Sequence, residues 1–434
     1  MIRILESILW SLAIILLIGG GLYFTCNLKL IQFNFIEMFR SFKHKENSKI
    51  TPFKSLTMAL AARIGVGSLA GIALAIYNGG PGTIFWIWLS GIITSSNSFA
   101  ESLLGIKYRV KDDDVHKGGP SYYIDKGLNN KKLAKVYAIL IILAYIIGFM
   151  TIQANTISKS INDYTGINPL IIGIILAVIT AISIFKGVKS IANITSFLVP
   201  VMGIVYIALS IYILIANIEK IPYILYEIIN GAFNVNTFKF GIISSFIIGI
   251  QRGVFSTEAG LGSGSIASST TDDNNGVKIG LIQVLGIYFT TFIICTSTAF
   301  IILTSDYLNI NFQNINGIEI TQYALNYHLG NLGIIILIFS IISFAFSTII
   351  SGYYYGESNL KYLYKNINTT HLNILKVITI ILLIIGSVIN SSIIWKLVDI
   401  FVALMAIINM YSLLKMRNIV KKEVMSYKSN KNLL

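Results

Sequence analysis

The chain has 434 residues, of which 55% are apolar and 12% charged, against about 45–50% and about 25% in an ordinary globular protein. That excludes a soluble protein, because the charge is too sparse to cover a surface, while the apolar residues suffice for about eleven spans of roughly 20 residues each. The 33 Lys and Arg outnumber the 19 Asp and Glu to leave +14 at neutral pH, and the placement of those charges decides between a nucleic-acid partner and a membrane topology.

In chain order, Arg3 precedes an apolar run over 4–24 that is too long for the core of a secretory signal and lacks a small-residue cleavage site, so it reads as a retained first helix. Over 28–49, Leu30, Ile31, Phe33, Phe35, Ile36, Phe39 and Phe42 alternate with Lys29, Arg40, Lys43 and Lys45. This is an amphipathic basic stretch suited to the headgroup plane. Further apolar segments follow at about 51–76, 82–108, 133–160, 169–185, 191–216, 241–268, 278–304, 332–360, 372–390 and 393–415, eleven with the first. Residues 221–233 and 321–330 are too short to span and read as surface helices in loops. With no low-complexity region or Pro-rich linker, the chain reads as one all-α integral membrane protein. Residues 1–50 form a helix and basic linker, 51–216 and 241–416 two core halves, and 417–434 a tail.

Placing the loop after the first helix in the cytoplasm puts most of the 33 basic residues on that side, including those of 107–135, 361–376 and 415–431. The outer loop 305–331 contains no Lys or Arg. The excess charge is a topology signal, with the N-terminus outside and the C-terminus in the cytoplasm of a plasma-membrane protein. Basic residues dispersed among spans do not form a nucleic-acid face. Cys26, Cys295 and the four histidines show no ligand spacing, which argues against a disulfide framework, a zinc site or an iron–sulfur cluster.

Two spans stand apart. The second runs Ala61-Ala62-Arg63-Ile64-Gly65-Val66-Gly67-Ser68, and the seventh Gly249-Ile250-Gln251-Arg252-Gly253-Val254-Phe255-Ser256-Thr257-Glu258-Ala259-Gly260-Leu261-Gly262-Ser263. They begin the two halves, and glycine-interrupted segments at matched positions point to a transporter site. Unwound backbone at membrane depth must line a cavity or be buried in protein. Its freed amides suit a carboxylate and its freed carbonyls an ammonium or a hard cation. Close helix packing is the plainer use of such glycines, and the matched pair argues against it.

Arg63, Arg252 and Glu258 lie at membrane depth, where a charge must be paired or wet. Arg252 and Glu258 are six residues apart, so they can pair with each other only if the helix breaks between them. Gln153 and Asn155 are polar residues deep in a span, suited to the site or to interhelical hydrogen bonds. Ser347 and Thr348 suit a hard cation or their own helix carbonyls. His116 and His328 sit in loops without a catalytic grouping, and Trp86, Trp88 and Trp395 read as interfacial anchors.

Several strings resemble the sodium:alanine symporter (amino acid carrier protein) family, within the amino acid-polyamine-organocation superfamily. They are Gly65-Val66-Gly67-Ser68-Leu69-Ala70-Gly71, Asn78-Gly79-Gly80-Pro81-Gly82, Phe99-Ala100-Glu101, Lys107-Tyr108-Arg109, Gly118-Gly119-Pro120, Gln153-Ala154-Asn155, Phe255-Ser256-Thr257-Glu258-Ala259-Gly260-Leu261-Gly262-Ser263, Phe344-Ala345-Phe346-Ser347-Thr348, Tyr354-Tyr355-Gly356-Glu357 and Leu404-Met405-Ala406-Ile407-Ile408-Asn409. The resemblance implies an N-terminal helix plus a five-plus-five inverted-repeat core of leucine-transporter type, broken in its first and sixth helices. It implies symport of alanine, glycine or another small neutral amino acid with a cation, by a monomer without a resident cofactor. Carried over, the substrate carboxylate would meet Gly65, Val66, Gly67 and Ser68, and the ammonium the carbonyls around Phe255, Ser256 and Thr257, near Gly260. Gln153 would line the pocket and Phe255 close it. Sodium would sit among Ala61, Ile64, Phe344, Ser347 and Thr348.

Three positions depart from the family pattern, which typically has Asn at Ser68 and Thr257 and a small residue at Arg63. A guanidinium beside the expected cation position can replace a bound cation by a fixed charge. The alternative mechanism is therefore a sodium-independent or proton-coupled amino acid carrier. A channel would need repeated filter segments, and an enzyme a nucleophile–base or metal grouping; the chain offers neither.

Overall fold

The computed structural model describes residues 2–43, 48–112, 115–233, 241–307, 317–364, 368–390 and 392–430. Helices dominate: α1 (Ile2–Asn27), α2 (Phe35–Arg40), α3 (Pro52–Arg63), α4 (Ile72–Gly79), α5 (Thr83–Tyr108), α6 (Pro120–Leu128), α7 (Lys131–Ile142), α8 (Met150–Thr165), α9 (Pro169–Ile184) and α10 (Val188–Ala216). Then come α11 (Ile221–Phe233), α12 (Ile242–Thr257), α13 (Ser263–Ser268), α14 (Gly276–Tyr288), α15 (Thr296–Leu303), α16 (Gly317–Leu329), α17 (Asn331–Leu363), α18 (Thr369–Val388), α19 (Ser392–Lys415) and α20 (Arg417–Asn430). A small antiparallel hairpin of β1 (Val110–Asp112) and β2 (Val115–Lys117) pairs Val110 with Lys117. Among the described residues it is the one departure from the all-helical expectation, and three-residue strands leave no alternation to read.

All eleven predicted segments contain helix. Seven described helices are individually long and apolar enough to span: Ile4–Asn27, Lys131–Thr165, Val188–Ala216, Gly276–Leu303, Asn331–Leu363, Thr369–Val388 and Ile393–Lys415. The pair Pro52–Arg63 and Gly67–Gly79, bent by 52°, makes an eighth. Pro169–Ile184 and Ile242–Thr257 are apolar but shorter. α5 is long enough at 26 residues but carries the polar run Thr94-Ser95-Ser96-Asn97-Ser98 and Glu101. The amphipathic stretch after α1 is not one continuous helix. It turns through a short 3-10 segment into six-residue α2, which leaves Ile36 and Phe39 exposed.

Local chemistry sets the helix starts. Thr51 accepts from the Lys54 amide at 3.3 Å with Pro52 in the first turn, Asn168 from Leu170 at 2.9 Å, and Asn275 from Val277 and Lys278 at 3.1 Å each. Two layers hold the site. α5 packs against α1, α12, α13 and α14, and α17 against α3, α7, α8, α10 and α16. Ser96 and Asn97 of α5 donate to the Gly21 and Leu17 carbonyls of α1, at 2.8 and 2.9 Å. The first helix is thereby fastened to the core rather than floating beside it.

Candidate functional site

The first break falls where the glycines place it. α3 ends at Arg63, residues 64–65 leave the helix, and the chain resumes through a π-helical turn, Gly67–Gly71, into α4. The glycines are sterically required. A methyl on Gly65 would come within 2.5 Å of Thr348 Oγ1 and 2.9 Å of Gln153 Nε2, and one on Gly67 within 3.0 Å of the Phe255 ring. Those near collisions map the site: Gln153 on α8, Phe255 on α12 and Thr348 on α17 converge on the broken segment. Gln153 Oε1 accepts from the Val66 amide at 3.3 Å. The Ser68 hydroxyl shares a hydrogen bond with Ser256 at 2.8 Å and donates to the Arg63 carbonyl at 3.2 Å. Cys295 is within 3.1 Å of the Ser256 hydroxyl.

The second break lies further along than its first glycines suggest. α12 runs unbroken past Gly253, and the chain turns at Glu258, Gly260 and Gly262, with φ of 56°, 86° and 93°. Glycine takes such angles freely, whereas Glu258 needs holding. Tyr145 donates to its Oε1 at 2.5 Å and Ser263 to its Oε2 at 2.8 Å. Three residues not among the sequence-based site candidates, Glu101, Asn409 and Tyr137, satisfy the freed backbone. Glu101 Oε2 accepts from the Gly262 amide at 2.9 Å and from Asn409 Nδ2 at 3.0 Å, and Asn409 also donates to the Gly260 carbonyl at 2.9 Å. Tyr137 donates to the Leu261 carbonyl at 2.6 Å. The signal was a carboxylate and an amide inside otherwise apolar spans.

A cluster of oxygens adjoins the first break. The Ala61 carbonyl accepts from Thr348 at 2.8 Å and Ser347 at 3.5 Å, and the Phe344 carbonyl from the same hydroxyls at 2.9 and 2.8 Å. Ile64 is buried beside them. These neutral oxygens suit a hard monovalent cation. They contain no carboxylate of the kind that builds calcium and magnesium sites, and the described residues hold no group of three His, Cys, Asp or Glu.

Above the site, aromatic rings stack in series: Phe149 to Phe255 at 5.1 Å and Phe255 to Trp395 at 5.4 Å. Arg252 lies over both Phe255 and Trp395, at 5.5 and 5.7 Å. A cavity of about 470 Å³ lined by Trp10, Gln251, Arg252, Trp395 and Asp399 adjoins these rings.

Several expectations are corrected. Arg252 does not pair with Glu258; because α12 is continuous between them the two diverge, and Arg252 pairs with Asp399 of α19 at 2.9 Å. Arg63 does not reach toward Ser347 and Thr348. Its Nη2 donates to Ser98 of α5 at 3.3 Å, and its terminal nitrogens lie against Gly264 and Gly286. Its Nε and Nη1 are buried without a hydrogen-bond partner among the described residues, as is Glu101 Oε1. Gly260 faces α1, where an added methyl would meet Leu17 at 2.5 Å, rather than the other substrate-site residues. Asn155 ties α8 to the Ile389 carbonyl at 2.6 Å, an interhelical role. Trp395 packs against Phe255, Trp88 donates to Thr296 at 2.8 Å, and Trp86 packs among Phe85, Phe233 and Phe246.

The inner end of the second broken helix is tied down from outside the spans. Arg109 donates to the Ser269, Thr271 and Asp273 carbonyls and to Asn274 Oδ1, at 3.1, 2.5, 3.1 and 2.6 Å. Burial pushes its pKa down to about 10, against the pull of Asp272 and Asp273. At neutral pH the guanidinium still carries its charge.

Two broken helices meeting at a buried site, with a cluster of neutral oxygens on one flank and a row of aromatic rings on the other, are the pattern of a secondary transporter. The comparisons agree. The profile of the sodium:alanine symporter family matches residues 1–433, and the chain belongs to that family. It is 38% identical to the amino-acid carrier protein AlsT of Bacillus subtilis, over 98% of this chain and 91% of that one. It is 36% identical to the probable sodium/glutamine symporter GlnT of the same organism, over 99% and 91%, and 31% identical to the sodium/alanine symporter AgcS of Methanococcus maripaludis, over 98% and 96%. Among solved structures, MhsT in complex with L-phenylalanine aligns with a TM-score of 0.60 at 14% identity, over 86% of this chain and 96% of that one. A sodium-coupled sialic acid symporter aligns at 0.51 and 12%, over 96% and 86%. The fold is the leucine-transporter type in a multi-pass membrane protein.

Proposed function

We propose that the chain is a sodium-coupled symporter of a small neutral amino acid such as alanine or glycine, working by alternating access. The observation that carries this reading is the meeting of Gly65, Gly67, Gln153 and Phe255 beside the Ala61, Phe344, Ser347 and Thr348 oxygens. The unwound 65–68 backbone receives the carboxylate, the carbonyls at 255–257 receive the ammonium, and sodium occupies the oxygen cluster between α3 and α17. Release of Phe255 and the Arg252–Asp399 pair admits substrate from the outer cavity. The relatives named for alanine and for glutamine bracket the substrate class. The halves 51–216 and 241–416 are the two repeats, the N-terminus lies outside, and a monomer suffices. In proteoliposomes, alanine uptake rises with an inward sodium gradient; equal uptake with and without that gradient would overturn sodium coupling.

Arg63 supports a second reading, a sodium-independent or proton-coupled carrier, because its guanidinium is buried between the two breaks, beside Ser98 and Gly264, with Nε and Nη1 lacking a hydrogen-bond partner among the described residues. Under it, Arg63→Thr creates sodium dependence; an unchanged sodium response refutes it.

A further inference from the structure

Away from the transport site, at the end of the bundle that the charge asymmetry assigns to the cytoplasm, a cavity of about 360 Å³ opens between the β-hairpin, α6, α7 and the end of α17. Six lysines line it: Lys111 and Lys117 from the hairpin, Lys126 from α6, Lys131 and Lys135 from α7, and Lys361 from α17. Only two carboxylates do, and both are already engaged. Asp112 pairs with Lys117 and lies 3.7 Å from Lys361, while Asp125 accepts from the Tyr362 hydroxyl at 2.9 Å. Among the described residues, Lys111, Lys126, Lys131 and Lys135 take part in no ion pair.

Two details argue that this is more than a solvated face. The Lys117 side chain is only 5% exposed, so one wall holds an ammonium that water barely reaches. Lys131 and Lys135 are four apart on one helix and line the same cavity, an arrangement of like charges that costs helix stability unless an anion lies between them. The cavity sits beside the start of the apolar helix Lys131–Thr165 and the end of α5. Basic pockets between membrane helices on the cytoplasmic side hold phosphate headgroups, and lysines bind phosphate as point charges.

We propose that this lysine-lined cavity binds a compact phosphate-bearing anion, either a lipid headgroup or a soluble phosphate compound. It is independent of which amino acid is transported. Lysine side chains contributed by four separate elements suit at least two negative charges in a small volume, which phosphate chemistry provides and a single carboxylate does not. The occupant cross-links the hairpin following α5 to α7 and α17.

The test uses the full chain in detergent. The thermal unfolding midpoint is followed against potassium pyrophosphate, with potassium chloride at equal ionic strength as reference. In parallel, native mass spectrometry counts phosphatidylglycerol retained after washing from mixed phosphatidylglycerol–phosphatidylcholine micelles. Lys131→Gln with Lys135→Gln removes two exposed cavity lysines, and Lys421→Gln with Lys422→Gln on exposed α20 matches the change in charge elsewhere. A saturable pyrophosphate effect, weakened about tenfold by the first pair and kept by the second, identifies a soluble phosphate source. Retained phosphatidylglycerol with the same variant pattern identifies a lipid. No saturable effect and no retained lipid, or equal responses in both variants, overturns the proposal.

Discussion

Arg252 and Asp399 join α12 to α19 over the first break: the guanidinium meets the carboxylate at 2.9 Å while resting over Phe255, the ring that itself lies against Gly67. One ion pair therefore bears on the first broken helix through a single aromatic side chain.

Breaking that pair from one side strands a charge. Asp399→Asn leaves Arg252 without its partner in a buried setting, where such losses cost about 3–5 kcal/mol, and uptake should fall at least about tenfold. Arg252→Gln with Asp399→Asn removes both charges and should recover part of the loss. Initial uptake rates in proteoliposomes check this, and a double variant as poor as Asp399→Asn alone would count against a gate.

Thr348 contributes a hydroxyl to the oxygen cluster and packs against Gly65. Thr348→Val keeps the shape and deletes the oxygen, so the sodium concentration for half-maximal uptake should rise about tenfold, equivalent to about 1.4 kcal/mol. Thr348→Ser should stay close to the parent. A sodium titration of uptake separates the two.

Gly67→Ala places a methyl 3.0 Å from the Phe255 ring. The ring must yield, so substrate affinity should weaken while the protein remains folded. Gly65→Ala strikes Thr348 and Gln153 together and should impair sodium and amino acid binding alike. Calorimetric titration with alanine, at saturating and at low sodium, distinguishes these outcomes.

Cys26 is exposed at the end of α1, whereas Cys295 is buried. With the N-terminus outside, Cys26 faces the cytoplasm. A membrane-impermeant maleimide should leave right-side-out vesicles unlabelled and label them after permeabilisation, and Cys26→Ser should abolish the signal. Labelling of sealed vesicles would invert the topology.

Acid should weaken the outer loop. Burial lowers the pKa of His328 below its ordinary 6.5, against a partly offsetting bond to the Ile301 carbonyl. The unfolded chain then binds the proton more tightly, so stability falls as pH drops through 6.5 and levels off below the folded value. His116 is lowered too, by burial and by Arg109. Replacing His328 with Gln should flatten part of the acid limb of the unfolding midpoint between pH 7 and pH 5.

The first break was legible because its cause is local: two glycines and a serine within four residues of apolar helix. The second was legible as a region but not as a place. Its turn depends on Glu258 in a left-handed conformation, held by Tyr145, and on Gly260 and Gly262, whose carbonyl and amide are met by Asn409 and Glu101 from other helices. The Arg252–Asp399 pair spans 147 residues, and no local pattern marks it. Arg63 was legible as an anomaly and misread in direction, since a helical side chain's heading depends on which neighbours leave room. Gly264 and Gly286 leave that room.

The polar run along α5 has a further consequence. Ser90, Thr94 and Ser95 return their hydroxyls to their own helix carbonyls, but Asn97 and Glu101 find partners only on α1, α19 and the turn before α13. As this span leaves the ribosome, most of those partners have not been made, and charged or amide groups at a span's centre resist insertion. α5 therefore depends on α1 to enter the bilayer and on the second half of the chain to stay there. In a chain ending after α10, single cysteines placed along α5 should react with a membrane-impermeant maleimide that the full-length protein excludes, so biogenesis of the two halves is coupled even before any substrate is moved.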